Sequence, residues 1–356
     1  MSLKIGVVGA GTFGVNHLNA FRQLSYSGVA ELAAVAEVND KRREWVKENY
    51  GCAVYADYNE MIEKADVDGV AVVTPDHLHR PVVLAAAAKG KHVLVEKPLD
   101  VTVEGCREMV EAARAANVLL QVDFHKRYDP DHIALHRRVR SGELGTVLYG
   151  SVYMEDRIEV PAEWFPHWAP SSSPAWFLGV HFYDLVRWTI GSNGKTVFAR
   201  GRKELLKNEY KVDTYDSISA MVEFENGAVF TFNTSWILPK SFEAIVNQEI
   251  RVVGTKGVWE IDSQDRGSRS CVADEGMRTW NNNFMRELKD KGGRTIYRGY
   301  GVEAIEDFAY NVKALQEGAS LESLKGTYPD GDDGLEVTKI GVAVHESVRT
   351  GKLVEL

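Results

Sequence analysis

Over the first 123 residues the chain keeps changing its hydrophobic period, and few architectures accept that. Short, almost continuously apolar runs occur at Leu3–Val8, Glu31–Glu37, Val70–Val73, His92–Glu96 and Val118–Asp123. Between them lie stretches with helical spacing, near Val15–Leu24, Lys41–Tyr50, His79–Lys89 and Val103–Ala116. Strands without polar alternation are buried on both faces, which requires helices on both sides of a parallel sheet. With right-handed crossovers this pattern predicts a doubly wound, Rossmann-type α/β domain.

After about residue 124 the pattern changes. Alternating runs at Val147–Met154, Val197–Gly201, Ser217–Phe224, Ala228–Ser235, Glu249–Val253 and Gly257–Ile261 are separated by glycine turns such as Glu225-Asn-Gly227. Strands of that kind, close in sequence, predict a large, mostly antiparallel sheet with one open face. Helices are expected near Pro130–Ser141, Val180–Ile190, Val302–Glu317 and Gly334–Thr350. A chain of 356 residues is long enough for two cores. The expected division is a dinucleotide-binding domain over 1–123 and an α+β domain over 124–356 for substrate and subunit contacts.

Gly9-Ala-Gly11-Thr-Phe-Gly14 stands where the first strand gives way to the first helix. The first glycine permits the turn, the second lets backbone approach a pyrophosphate, and the third allows close helix–strand packing. The helix N-terminus offers its unpaired N–H groups to the anion. Gly9, Gly11, Thr12, Phe13 and Gly14 are therefore candidate cofactor contacts. Glu37 ends the second strand 23 residues later; a carboxylate there accepts ribose hydroxyls and repels a 2′-phosphate. NAD is expected over NADP. Lys41-Arg42-Arg43 could grip a 2′-phosphate, but a solvated helix face is the preferred reading.

Charge and composition narrow the partners. The net charge of −9 opposes nucleic-acid binding. No run approaches 18 apolar residues and no leader peptide precedes the first strand, so neither a membrane nor a secretory route is expected. Cys52, Cys106 and Cys271 are far apart and in no CxxC pattern; they read as reduced thiols of a cytoplasmic protein.

Further landmarks fall in a telling order: Thr74-Pro-Asp-His-Leu-His79, Glu96-Lys-Pro98, Arg127-Tyr-Asp-Pro130, and Gly179-Val-His-Phe-Tyr-Asp184 followed by Trp188 and Gly191. With the N-terminal glycines they resemble the Gfo/Idh/MocA family of NAD(P)-dependent oxidoreductases over nearly the whole chain. The resemblance implies hydride transfer between a nicotinamide cofactor and a sugar, cyclitol or related polyhydroxylated substrate. It implies that Lys97 reaches the substrate hydroxyl, that Pro98 is cis, and that Thr74, Pro75, His79 and Glu96 lie on the cofactor side. His77 and His79 could instead cap the following helix. His181 matches the histidine that works with the lysine as acid/base, and Arg127 falls among the substrate-side residues. Many catalytic members carry Asp four residues before that histidine; this chain has Phe177. Asp184 is placed to orient His181 or to bind elsewhere in the fold. The family also implies a homodimer or homotetramer formed through the C-terminal sheet.

One compositional oddity belongs to this region. Four of the eight tryptophans (Trp164, Trp168, Trp176, Trp188) and four of the ten prolines lie between 161 and 188. Trp164, Trp168 and Phe177 could form a stacking wall for a pyranose or cyclitol ring, or a subunit contact. His125, His132 and His136 could suggest a metal, but a solvated helix face is preferred and no metal is expected. Asp330-Gly-Asp-Asp-Gly334 is read as a helix cap rather than a calcium loop. Two other functions fit the same fold: a sugar-active enzyme that retains its NAD, and a non-catalytic NAD-dependent sensor.

Overall fold

The structure is a computed structural model that describes residues 2–262, 268–272 and 276–356. It forms two compact units. The first comprises Met1–Asp129 and Asn283–Leu335, the second Pro130–Asn282 and Glu336–Leu356.

The first unit carries a six-stranded sheet. Its strands are β1 (Leu3–Val8), β2 (Ala30–Ala36), β3 (Ala53–Tyr55), β4 (Gly69–Val72), β5 (His92–Val95) and β6 (Leu120–Val122). Their order is β3-β2-β1-β4-β5-β6, and every neighbouring pair is parallel. The helices α1 (Gly14–Leu24), α2 (Asp40–Tyr50), α3 (Tyr58–Lys64), α4 (His79–Ala88) and α5 (Val103–Ala115) complete the doubly wound domain. Helix starts follow the local chemistry: the Asn39 side chain accepts the Arg42 amide and the Thr102 side chain accepts the Gly105 amide, each filling an orphan donor. β3 and α3 carried no clear sequence signal, because β3 is a three-residue edge strand without one buried residue.

The returning segment adds a layer to this unit. Helix Tyr300–Gln316 sends Val302, Ile305, Phe308, Ala309 and Val312 into the same buried cluster as Leu3, Ile5, Val7, Leu18 and Phe21. Gly69 has to be glycine for this packing, since a Cβ there would lie 2.9 Å from the Phe308 ring.

In the second unit a seven-stranded sheet runs in the order Val258–Asp262, Val246–Gly254, Val147–Arg157, Val229–Leu238, Ser217–Phe224, Gly194–Arg202, Val354–Glu355. One pair, Val147–Arg157 with Val229–Leu238, is parallel; the others are antiparallel. Burial alternates along the central strands. Val152, Ile218, Val222, Phe230, Phe232 and Ile250 face the core, while Tyr149, Tyr153 and Met221 stay exposed on the other face. Helix Val180–Ile190 covers the apolar face, with Tyr183 edge-on to Phe232 at 4.9 Å. The expected open-faced sheet is therefore present. Two hairpins, Ser268–Val272 with Gly276–Trp280 and Arg286–Lys289 with Thr295–Arg298, were not anticipated. Among the described residues no helix is long and apolar enough to cross a membrane.

Candidate active site

The carboxyl ends of β1, β2, β4, β5 and β6 bring the N-terminal candidates to one edge of the sheet, where β1 and β4 flank the reversal of strand order. Gly9 has φ +98°, and a Cβ on it would lie 2.4 Å from the Val73 carbonyl; Gly14 is pressed equally hard against Gly9 O. Both are demanded by the fold. Gly11 is different: a Cβ there would meet no protein atom within 4 Å. The loop leaves space beside its middle glycine, as a pyrophosphate cradle requires. Thr74 adds a second sign of fit, because its Oγ1 is shielded from solvent without a hydrogen-bond partner.

Glu37 is built into that loop. Its Oε2 accepts the Ala10 amide at 2.8 Å and its Oε1 the Asn39 amide at 2.9 Å. A carboxylate has about four acceptor sites, so lone pairs remain for ribose hydroxyls. Lys41 is exposed as expected, but Arg42 and Arg43 are not simply solvated. Arg42 donates to the Ala10 carbonyl and lies over the Trp45 ring at 3.9 Å. Arg43 donates to the carbonyls of Glu37 and Val38. A carbonyl of the glycine loop holds the Arg42 guanidinium, and carbonyls just before α2 hold that of Arg43.

His79 is buried, with Nε2 2.9 Å from the Thr74 carbonyl and Nδ1 2.8 Å from the Pro98 carbonyl. Burial lowers its pKa. A neutral imidazole has one N–H, so it donates to one of these carbonyls while its other nitrogen lies against the second, between the loop after β4, which carries Thr74 and Pro75, and the loop after β5. The Lys97–Pro98 peptide is cis. Lys97 is half-buried, and its amide donates to Glu96 Oε2 at 3.2 Å.

Sequence reading missed what lies behind Lys97. The Glu96 side chain turns inward and is buried beside Asp123, which follows β6, with carboxyl oxygens within 4.8 Å of each other. Burial raises the Glu96 pKa; burial and the neighbouring Glu96 raise that of Asp123 well above the ordinary carboxylate range. His17 of α1 completes the group, Nε2 3.7 Å from Glu96 and 3.8 Å from Asp123, its pKa lowered to about 4 by burial. Among the described residues these three are the one group of His, Cys, Asp and Glu side chains close enough to share a metal ion. The only available sequence signal was a helix histidine three residues beyond Gly14.

Arg127 is nearly buried and pairs with Asp333 at 3.0 Å within the first unit. Asp330 accepts the Asp333 amide at 2.9 Å, so the acidic run caps helix Gly331–Thr350 as expected.

The second unit holds the remaining candidates. His181 and Asp184 are both buried and fall on one face of helix Val180–Ile190. Two π-helical turns, Val160–Trp164 and Ala175–Gly179, shape the approach to that helix. Phe177 packs among Phe165, Trp168 and Trp236, with ring centroids 6.2, 5.4 and 6.1 Å away. The position that carries an acid in many members of the resembled family is here part of an aromatic wall. The tryptophan cluster divides by role. Trp176 is buried and stacked on His345, while Trp188 stacks on His136 at 3.7 Å. Trp164 is 50% exposed. The histidines considered for a metal are dispersed into ring contacts: His132 on Phe182, His136 on Trp188, and His125 on Tyr300 and Phe284.

Comparison with known proteins gives the family. Residues 3–124 match the Gfo/Idh/MocA oxidoreductase family's NAD-binding Rossmann fold, and residues 136–356 match its C-terminal alpha/beta domain. The myo-inositol 2-dehydrogenase of Thermotoga maritima is 25% identical, over 99% of this chain and 98% of the relative. An inositol 2-dehydrogenase of Rhizobium meliloti is also 25% identical, over 98% and 97%. The fold is shared with a scyllo-inositol dehydrogenase of Lactobacillus casei solved with NAD(H) and scyllo-inositol. That similarity has a TM-score of 0.79, with 22% identity over 100% of this chain and 99% of that one. With both of its domains matched in order along one chain, this protein belongs to the Gfo/Idh/MocA oxidoreductase family.

Proposed function

We propose that this oxidoreductase is an NAD-dependent dehydrogenase of a cyclic polyol, a cyclitol in the first instance. The observation that carries the reading is the placement of Lys97 at the end of β5, on the sheet edge that also carries the Gly9–Gly14 loop and Glu37. Relatives that match along almost their whole length are named as inositol dehydrogenases, which narrows the polyol class.

When bound, NAD supplies the acceptor for the carbinol hydride. The protein's part is binding and proton chemistry. The open side of Gly11 and the α1 N-terminus would receive the pyrophosphate, Thr74 would serve the nicotinamide end, and Glu37 would take the ribose hydroxyls in preference to a 2′-phosphate. Lys97 Nζ, neutral at the moment of reaction, takes the hydroxyl proton, with His181 as the second acid/base group. Trp164, Trp168 and Phe177 give the C–H faces of a ring substrate an apolar wall. Arg127 orders the chain after β6 through Asp333 on the substrate side. The open sheet face with Tyr149, Tyr153 and Met221 supports a homodimer or homotetramer. None of the three cysteines, all among the described residues, is in a disulfide, which fits a reducing cytoplasm.

A panel of inositols, sugars and sugar acids, assayed with NAD and NADP by nicotinamide absorbance, tests the proposal. The expected result is reduction of NAD with at least one inositol, abolished in Lys97→Ala. Dinucleotide binding without turnover of any polyol, or full activity in Lys97→Ala, overturns it.

A further inference from the structure

The group behind Lys97 has a function of its own. Glu96 and Asp123 are both buried, with carboxyl oxygens within 4.8 Å of each other. Two ionised carboxylates are acceptors only, so a bond between such close neighbours needs one proton held between them. Sharing it also avoids burying two like charges side by side. His17 is not the source: its Nε2 stands 3.7 and 3.8 Å from the two carboxyls, beyond hydrogen-bond reach, and it is neutral above about pH 4.

The two acids are not equivalent. The Lys97 amide donates to Glu96 Oε2, which favours the ionised form of Glu96, whereas Asp123 is the more strongly raised of the two. The other titratable group that feels Asp123 is Tyr128, held protonated by burial and by Asp307, which accepts its hydroxyl. Arg127, further along, is paired with Asp333. Lys97 is the cation next to the pair along the chain: it follows Glu96 directly, and its amide donates to Glu96 Oε2.

We infer that Asp123 is a positioning residue for Lys97: it donates the shared proton to Glu96, so that the pair keeps one negative charge fixed behind the lysine. That charge sets how strongly Lys97 holds the proton it takes from the substrate hydroxyl, an inference that rests on reading Lys97 as the proton acceptor.

Three variants separate the roles. Glu96→Gln removes the charge. Asp123→Leu removes the donor and forces Glu96 to take up a proton. Asp123→Asn keeps a donor to Glu96. The first measurement is the pH dependence of Lys97 acetylation by acetic anhydride in the cofactor-free protein, read by mass spectrometry. The second is the acid limb of kcat/KM for polyol oxidation. Both midpoints should fall by about one pH unit or more in Glu96→Gln and Asp123→Leu and stay in place in Asp123→Asn.

A purely structural role would lower the melting temperature while leaving both midpoints where they were, and that result overturns the inference. So does an Asp123→Asn midpoint that moves as far as that of Asp123→Leu. Retention of one divalent cation per chain, lost in Asp123→Asn, would show that the cluster is a metal site and not a proton-sharing pair. The acetylation profile needs no turnover. Midpoints that shift as expected in a protein without polyol activity would count against the substrate reading alone.

Discussion

Glu37 Oε2 accepts the backbone amide of Ala10, in the middle of the glycine loop, at 2.8 Å. One carboxylate thus shapes the glycine loop, and under the proposed function it also takes the adenosine ribose. Replacing it with Ser removes two charge-assisted acceptors from the loop and the repulsion toward a 2′-phosphate. Glu37→Ser should weaken NAD binding by roughly 10–100-fold, since hydrogen bonds to a charged group contribute about 1.5–3 kcal/mol. The NADP/NAD ratio of kcat/KM should rise. Fluorescence titration with both dinucleotides and parallel kinetics check this, and an unchanged ratio removes Glu37 from the specificity assignment.

The tryptophans should separate by phenotype. Trp176 is stacked on His345, ring centroids 5.0 Å apart and 11° from parallel, and occupies the space above Gly341. Trp176→Ala should cost about 3–5 kcal/mol through the cavity it leaves. Trp164 is largely exposed, and Trp164→Ala should change stability by less than about 0.5 kcal/mol while raising the KM for the ring substrate. Denaturation midpoints and steady-state kinetics on the two variants decide the matter.

Phe177→Asp would restore the acid common in the family, but into a pocket walled by Phe165, Trp168 and Trp236. Phe177 is half-buried, so a carboxyl there loses part of its hydration against these rings, and the cost should be about 1–3 kcal/mol. Its folded pKa would be raised, so the folded state holds the proton longer than the unfolded one. The destabilisation should therefore be larger at pH 8 than at pH 5. Melting temperatures at the two pH values measure it; an equal loss at both would mean that the aspartate is solvated.

His17 makes the opposite contribution. Its pKa falls from 6.5 to about 4 on folding, so the unfolded chain binds more protons between those values. Stability from this residue is fully present above pH 6.5 and is lost as the pH falls toward 4, by an amount on the order of 3 kcal/mol. Glu96 and Asp123, raised in the folded state, pull the other way as they take up protons. Urea midpoints between pH 7.5 and 5 should fall less steeply in His17→Gln than in the native protein. Parallel curves would show that His17 is hydrated.

Much of the fold was legible because it is written in local periods. The apolar strands and helical stretches of the Rossmann half, the glycine turn between β1 and α1, and the alternating strands of the second half follow from residues within a dozen positions of one another. Helix Val180–Ile190 and strand Ser217–Phe224 lie where the pattern puts them. The three-residue strand Ala53–Tyr55 and the two hairpins after residue 267 did not announce themselves, being short and with little or nothing buried in most of their strands.

The sequence by itself determined the two architectures, the glycine loop between β1 and α1, and the family to which the chain belongs. Only the tertiary structure decided which distant segments share a core and which buried groups must share a proton. Helix Tyr300–Gln316 packs into the first sheet's core nearly 180 residues after that sheet's last strand, and no local period carries that fact. His17, Glu96 and Asp123 come from three separate elements, each unremarkable in its own neighbourhood. Their chemistry arises from being desolvated together, and desolvation is a property of the packed interior that residue order alone does not express.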